Sequence, residues 1–398
     1  MTLRILVHDH SGHPFQVQLS RELARRGHRV THSYCAAYVS GKGHLQAEPG
    51  ETLVFDPIGV ASVAEKTRFV RRLLQEVRWG VDLVRQVRRT RAEVVLVSNA
   101  QIPSLVVFSV AMAVLRVPWV LWHQDVYAEA VRSFAGAKLS KQFRLVARCF
   151  EVAERFIARR SSAVVAISPA FLPVHRAWGT ADKTTVIPNW APLDEIVPVE
   201  RKNDWAVEQR LDDTLTLLYS GTLGLKHNPE LLVRLVREVR ARGKDARLVV
   251  VNEGPAEAVL REAADRLDVP LTLLPFQPYE RLSEVLGSGD VLLVLLDERA
   301  GAFSVPSKTL SYLCAGRPIL GLIPSENLAA DLIDQAGGLV APPREDALRD
   351  AAAWAVDVLD DPERRRDLGE AARDLAEREF ALPDCADRFE TILRGCAR

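Results

Sequence analysis

Residues 290–323 read DVLLVLLDERAGAFSVPSKTLSYLCAGRPILGLI, and their order decides the fold. An apolar run of strand length (290–297) is followed by a short helical stretch, and then by a second strand-like run, PILGLI (318–323). Pro306 and Ser307 mark the helix entrance, because proline lacks an amide that would go unpaired there and a serine hydroxyl accepts a first-turn N–H. Gly316 and Pro318 stop the helix. A helix entrance carries free amides and partial positive charge, so Lys308 and Thr309 make it a seat for an anion such as phosphate. An ordinary capped helix between two strands would read the same way.

The same alternation extends outward in both directions. TLTLLYSG (214–221), RLVVVNEG (247–254) and LTLLPF (271–276) are strand-like, each followed by a helical stretch. The first half has LRILVH, a helix near Phe15–Arg26, HRVTHSY, VVLVSN (94–99), WVLWHQ (119–124), AVVAIS (163–168) and TTVIPNW (184–190). Alternation of this kind predicts parallel sheets covered on both faces. Pro192, Pro198 and ERKNDW interrupt it. The expectation is α/β: two tandem Rossmann-like, doubly wound domains facing a central cleft. Their boundaries are 1–190, a linker 191–213, a second domain 214–380, and a C-terminal helix 381–398 packing back on the first domain.

A chain of 398 residues exceeds what one core usually serves, which agrees with two domains. Formal charge is +0, but residues 1–198 hold 26 Lys and Arg against 16 Asp and Glu, a net of +10, and the remainder holds 26 against 36, a net of −10. The basic half is the one expected to meet an anionic partner. The five cysteines are scattered without metal or redox spacing, which argues against zinc and fits a reducing cytoplasm. MTLRILVHDH enters a strand at once and is not expected to be a signal peptide. The apolar run Ile102–Leu115 contains Pro103, Ser104 and Ser109, is too short to span a bilayer, and reads as a buried helix.

Ligands of doubly wound sheets sit at the carboxyl ends of strands, so the residues that follow the strands are the informative ones. In the second half these are Ser220-Gly221-Thr222-Leu223-Gly224-Leu225-Lys226, Asn252-Glu253-Gly254-Pro255, Phe276-Gln277-Pro278, and the stretch with Ser307 and Lys308. Two lysines and a helix entrance on one rim read as a diphosphate site, although each lysine alone reads equally as a solvated surface residue.

With these motifs in view, the chain resembles the retaining glycosyltransferases of the two-Rossmann GT-B architecture, and within them the bacterial colanic-acid and exopolysaccharide type of group 1. The resemblance is carried by SGTLGLKHNPE, VVNEGP, PFQPYERL and VPSKTLSYLCAGRPIL, and in the first half by RILVHDHSG, RRGHRVT, HQDVY and VIPN. It implies that Gly221, Thr222 and Lys226 lie at the donor diphosphate, with Ser304, Val305, Pro306, Ser307, Lys308, Thr309 and Ser311 in the loop and helix that cap it. Asn252, Glu253 and Gly254 match the turn near the nucleotide, and Phe276 the segment beside the base. Gly12 matches the glycine-rich loop approaching donor and acceptor, and His123 a histidine facing the transferred sugar, where a core histidine is the alternative. Asp9, His10, His13, Gln124 and Tyr127 fall on the acceptor side. Members of that family often carry arginine where Thr222 stands, and a glutamate pair where Phe303 and Ser311 stand. Diphosphate charge here therefore rests on Lys226 and Lys308.

The implied activity is transfer from a nucleoside-diphosphate sugar, such as a UDP-sugar, to an acceptor hydroxyl with retention, in cell-surface polysaccharide or glycoconjugate synthesis. No cofactor and no metal are implied. His123, Lys226 and Asp125 are the catalytic candidates, with Asp9 and Asp125 the nearest acidic groups for the acceptor proton. A nucleotide-sugar 2-epimerase and a non-catalytic nucleotide-sugar-binding subunit are the alternatives. Two basic stretches, 66–91 and 137–160, carry apolar residues at helical spacing, in the first Val70, Leu73, Leu74, Val77, Val81 and Val84. They read as faces for an anionic membrane or as helices whose apolar stripe is core. No nucleic-acid module is found. The expected partners are a nucleotide-sugar donor and a glycan, lipid-linked or small-molecule acceptor. The expected location is cytoplasmic, with peripheral attachment at the inner face of the cell membrane.

Overall fold

The computed structural model describes residues 2–37, 45–59, 69–128, 141–223, 227–254, 256–298 and 308–397. The chain divides into two compact units, Met1–Asn189 with Leu382–Arg398, and Trp190–Ala381.

The first unit is built on a seven-stranded sheet: β1 (Arg4–Asp9), β2 (Arg29–Ser33), β3 (Val54–Phe55), β4 (Val94–Ser98), β5 (Trp119–His123), β6 (Ala163–Ala166) and β7 (Thr184–Val186), in the order β3-β2-β1-β4-β5-β6-β7. Every pairing is parallel; Leu6, for example, lies between Thr31 and Val95. Apolar runs such as VVLVS in β4 are buried throughout, because helices cover both faces. Strand order reverses between β1 and β4, which opens the carboxyl-end crevice there.

The second unit repeats the plan with six parallel strands: β8 (Leu215–Ser220), β9 (Ala246–Val251), β10 (Leu271–Leu274), β11 (Val291–Leu295), β12 (Ile319–Leu322) and β13 (Leu339–Ala341), ordered β10-β9-β8-β11-β12-β13. Here the reversal falls between β8 and β11. β11 is almost wholly excluded from solvent. The helix Lys308–Cys314 ends before Gly316, whose φ is 61°, and β12 follows.

Three expectations need correction. Residues 191–213 do not form a free linker: Ala191, Ile196, Trp205, Ala206 and Leu211 are buried in the core of the second unit, since their apolar surface needs cover. The helix Ile102–Leu115 buries only one face, with Leu105, Phe108 and Met112 inside and Val110 and Val114 exposed. In the helix Phe69–Thr90 the core contacts are Trp79, Leu83 and Val87, while Val70, Leu73 and Leu74 of the expected stripe face solvent. The helix Leu382–Cys396 belongs to the first unit. Phe389 packs 4.7 Å from Trp122, centroid to centroid, and Glu390 pairs with Arg26 at 3.0 Å and His28 at 3.1 Å. Among the described residues no helix is long and apolar enough to cross a membrane.

Candidate functional site

Each unit gathers polar side chains at its strand-order reversal. In the first, β1 ends at Asp9 and turns through Gly12, at φ 75°, into the helix Pro14–Arg25. Asp9 is fully buried: one carboxylate oxygen accepts the His13 amide at 2.5 Å, the other the Asn99 side-chain amide at 2.8 Å. Burial pushes its carboxyl up, against the opposing charge of His13 and these hydrogen bonds. Asp9 thus holds the loop in shape. His10 is buried against Trp79, ring centroids 4.9 Å apart, and burial pushes it down to about 3, so it stays neutral. His13 stands at the N-terminal boundary of that helix without a side-chain capping bond, its ring 3.3 Å from the Asn99 side-chain amide.

At the end of β5, His123 lines a pocket of about 30 Å³ with Asn99, Leu105, Gln124, Asp125, Tyr127 and Glu154, room for about two water molecules. Gln124 and Asn189 exchange two amide hydrogen bonds of 3.1 Å. Asp125 reaches solvent at the rim, yet the protein packed around it strips away much of its water and pushes its carboxyl up, opposed by His123 and His13 and reinforced by Glu154. The buried Glu154 carboxylate accepts the amides of Tyr127 at 2.8 Å and Ala128 at 3.0 Å. The Tyr127 side chain is exposed near Phe150.

In the second unit, β8 ends at Ser220-Gly221. Gly221, at φ 132°, brings its Cα so close to Lys308 that an added Cβ would lie 3.0 Å from Nζ. The Lys308 ammonium sits 3.8 Å from the Tyr219 ring centroid and donates to the Tyr219 hydroxyl, which in turn donates to the Thr222 carbonyl at 3.0 Å. No carboxylate of the described residues pairs with Lys308, and burial pushes its pKa down to about 7. Tyr312 closes the turn, its hydroxyl accepting the Ser220 amide at 2.8 Å and donating to the Ser220 carbonyl at 3.1 Å. Asn252 is buried and accepts the Leu223 amide at 2.8 Å, leaving its Nδ2 without a partner among the described residues. Thr309 Oγ1 is likewise buried and without a partner among the described residues. Ser311 is half-buried on the same helix, and Thr222, Glu253, Gly254 and Phe276 are exposed at the rim.

The structure therefore brings Gly221, Thr222, Asn252, Lys308 and Thr309 to one strand-end rim, and Asp9, Gly12, His13, His123, Gln124 and Asp125 to another. Lys226, Ser304, Val305, Pro306 and Ser307, with Phe303, lie outside the described residues. Tyr219, Tyr312, Asn99, Glu154 and His175 were missed from sequence. Tyr219 could have been noticed as the polar-tipped residue just before Ser220-Gly221; the others have partners too distant in the chain to signal themselves.

The "Glycosyl transferase 4-like domain" family matches residues 13–190, and "Glycosyl transferases group 1" matches residues 200–375. A GDP-mannose-dependent monoacylated alpha-(1-6)-phosphatidylinositol monomannoside mannosyltransferase of Corynebacterium glutamicum is 24% identical over 55% of this chain and 58% of its own length. An alpha-D-kanosaminyltransferase of Streptomyces kanamyceticus is 28% identical over 46% of each chain. The chain thus spans about half the length of these two relatives. The crystal structure of Anabaena HepE with UDP and glucose superposes with a TM-score of 0.73, covering 99% of this chain and 100% of that one at 14% identity, a likeness of fold. With a 4-like domain first and a group 1 domain second, the chain belongs to the group 1 glycosyltransferases of the GT-B fold.

Proposed function

We propose that the protein transfers a sugar from a nucleoside-diphosphate sugar to an acceptor hydroxyl, with retention of anomeric configuration and without an obligatory metal. The observation that carries this reading is Lys308, a half-buried lysine whose ammonium has lost water and has no acidic partner among the described residues, beside the open backbone at Gly221 and the Asn252 Nδ2 and Thr309 Oγ1 atoms, which have no partner among the described residues. A buried cation without a counter-ion is costly, and a diphosphate offsets that cost while exploiting the free polar atoms. Charge aimed at the departing diphosphate is usually the largest catalytic contribution in such a transfer. UDP in HepE and GDP-mannose in the name of the corynebacterial relative support a nucleotide donor.

The acceptor, in this reading, is met at an anionic membrane surface during cell-surface glycan or glycoconjugate synthesis. Helix Ile102–Leu115 packs against both Phe69–Thr90 and Lys141–Arg160. All three expose apolar side chains, including Leu74, Val114 and Leu145, and the two flanking helices also expose arginines such as Arg71, Arg88, Arg144 and Arg155. Apolar residues inserted among arginines suit an anionic lipid interface.

The test is a screen of nucleotide sugars, with and without lipid and glycan acceptors and with and without chelator. Acceptor-dependent release of nucleoside diphosphate supports the proposal. Acceptor-independent release of free sugar points to an epimerase, and binding without turnover to a non-catalytic subunit.

A further inference from the structure

His123 is one member of a buried histidine pair. Its Nδ1 lies 3.2 Å from His175 Nε2, and His175 Nδ1 lies 2.9 Å from Thr180 Oγ1. Phe171 and Trp178 wall the pair, their centroids 5.5 and 5.9 Å from that of His123. His175 is fully buried, and burial together with the neighbouring His123 and Lys183 pushes it down to about 3, so it stays neutral.

A neutral imidazole carries one ring proton, so the line permits two arrangements. In one, the Thr180 hydroxyl donates to His175 Nδ1, His175 Nε2–H donates to His123 Nδ1, and the His123 proton sits on Nε2. In the other the hydroxyl turns to the His175 carbonyl at 3.2 Å, both rings reverse, and His123 Nε2 is left with its lone pair. One observation favours the first. Glu154 Oε1 lies 3.8 Å from His123 Nε2, and a buried carboxylate attracts an N–H there and repels a lone pair.

We propose that His175, itself fixed by Thr180, is a positioning residue that locks His123 in the tautomer with its proton on Nε2, so that His123 presents a hydrogen-bond donor to the pocket at the end of β5. The substrate group it receives is then an oxygen acceptor, a sugar hydroxyl or a phosphoryl oxygen, and His123 in this form does not take the acceptor's proton. Its use in sugar transfer rests on the reading above; the tautomer itself does not.

The decisive experiment is a nitrogen-15 correlation spectrum of the histidine rings in the full-length protein at neutral pH, with His123 assigned by its loss in His123→Gln. Both His123 and His175 should be protonated on Nε2. His175→Phe keeps bulk but removes the hydrogen bond. It should shift the His123 ring signals toward a tautomer average and lower kcat/KM for the nucleotide sugar roughly tenfold, the scale of one lost hydrogen bond. A wild-type spectrum with His123 protonated on Nδ1 overturns the proposal, and this readout needs no substrate and no variant that folds poorly. A His175→Phe protein with unchanged His123 signals and unchanged kcat/KM overturns it equally.

Discussion

Lys308 offers the sharpest quantitative consequence of the proposed donor site. Its pKa is pushed down by burial from 10.5 to about 7, so at pH 8 about one protein in ten carries the charge and at pH 6 about nine in ten do. A bound diphosphate stabilises the ammonium and returns the pKa toward its ordinary value. Nucleoside-diphosphate binding should therefore take up about 0.9 proton at pH 8 and about 0.1 from this group at pH 6. Calorimetric titrations in buffers of different ionisation enthalpy measure this directly. Lys308→Met should abolish the uptake and weaken binding by roughly ten- to a hundredfold, the scale of a hydrogen bond to a charged group. Binding at pH 8 with no proton uptake, or a Lys308→Met protein of unaltered affinity, would refute the placement of the diphosphate on Lys308.

Three other outcomes are expected. The buried His10, His32 and His175 are each pushed down to about 3 by burial. The unfolded chain therefore binds protons below about pH 6.5 that the folded one refuses, and stability should fall from there toward pH 3, at up to about 4 kcal/mol per unit for the three; a chemical denaturation series against pH that stayed flat between 7 and 4 would contradict this. Gly369→Ala places a Cβ 2.3 Å from the Gly316 carbonyl oxygen and should cost about 1–3 kcal/mol by overpacking, read as a lower denaturation midpoint. The protein should sediment with anionic vesicles at low salt and be released near 1 M, where the screening length shrinks to about 3 Å, and Leu73→Ser with Leu74→Ser should weaken the binding; indifference to anionic vesicles at low salt would remove the membrane surface from the account.

Much of the fold was legible because strands buried on both faces, such as VVLVS and VLLVL, announce themselves as unbroken apolar runs. β3 and β13, of two and three residues, are too short to do so. The helix Phe69–Thr90 misled for a different reason. Valine and leucine recur on its outer side, so periodicity selects a stripe, but only tertiary packing decides that Trp79, Leu83 and Val87 face inward. At the site, glycine and lysine after β8 and β11 could be read from position alone. The pairing of Lys308 with Tyr219 spans 89 residues and that of His123 with His175 spans 52, and such contacts leave no local pattern.

The central claim is tested most directly by proton NMR of one reaction, in which a nucleotide sugar of defined anomeric configuration is turned over with an acceptor and the product is watched as it forms. The account predicts a new glycoside of the same anomeric configuration, appearing in step with nucleoside diphosphate. An inverted glycoside, or free sugar released whether or not the acceptor is present, would contradict it.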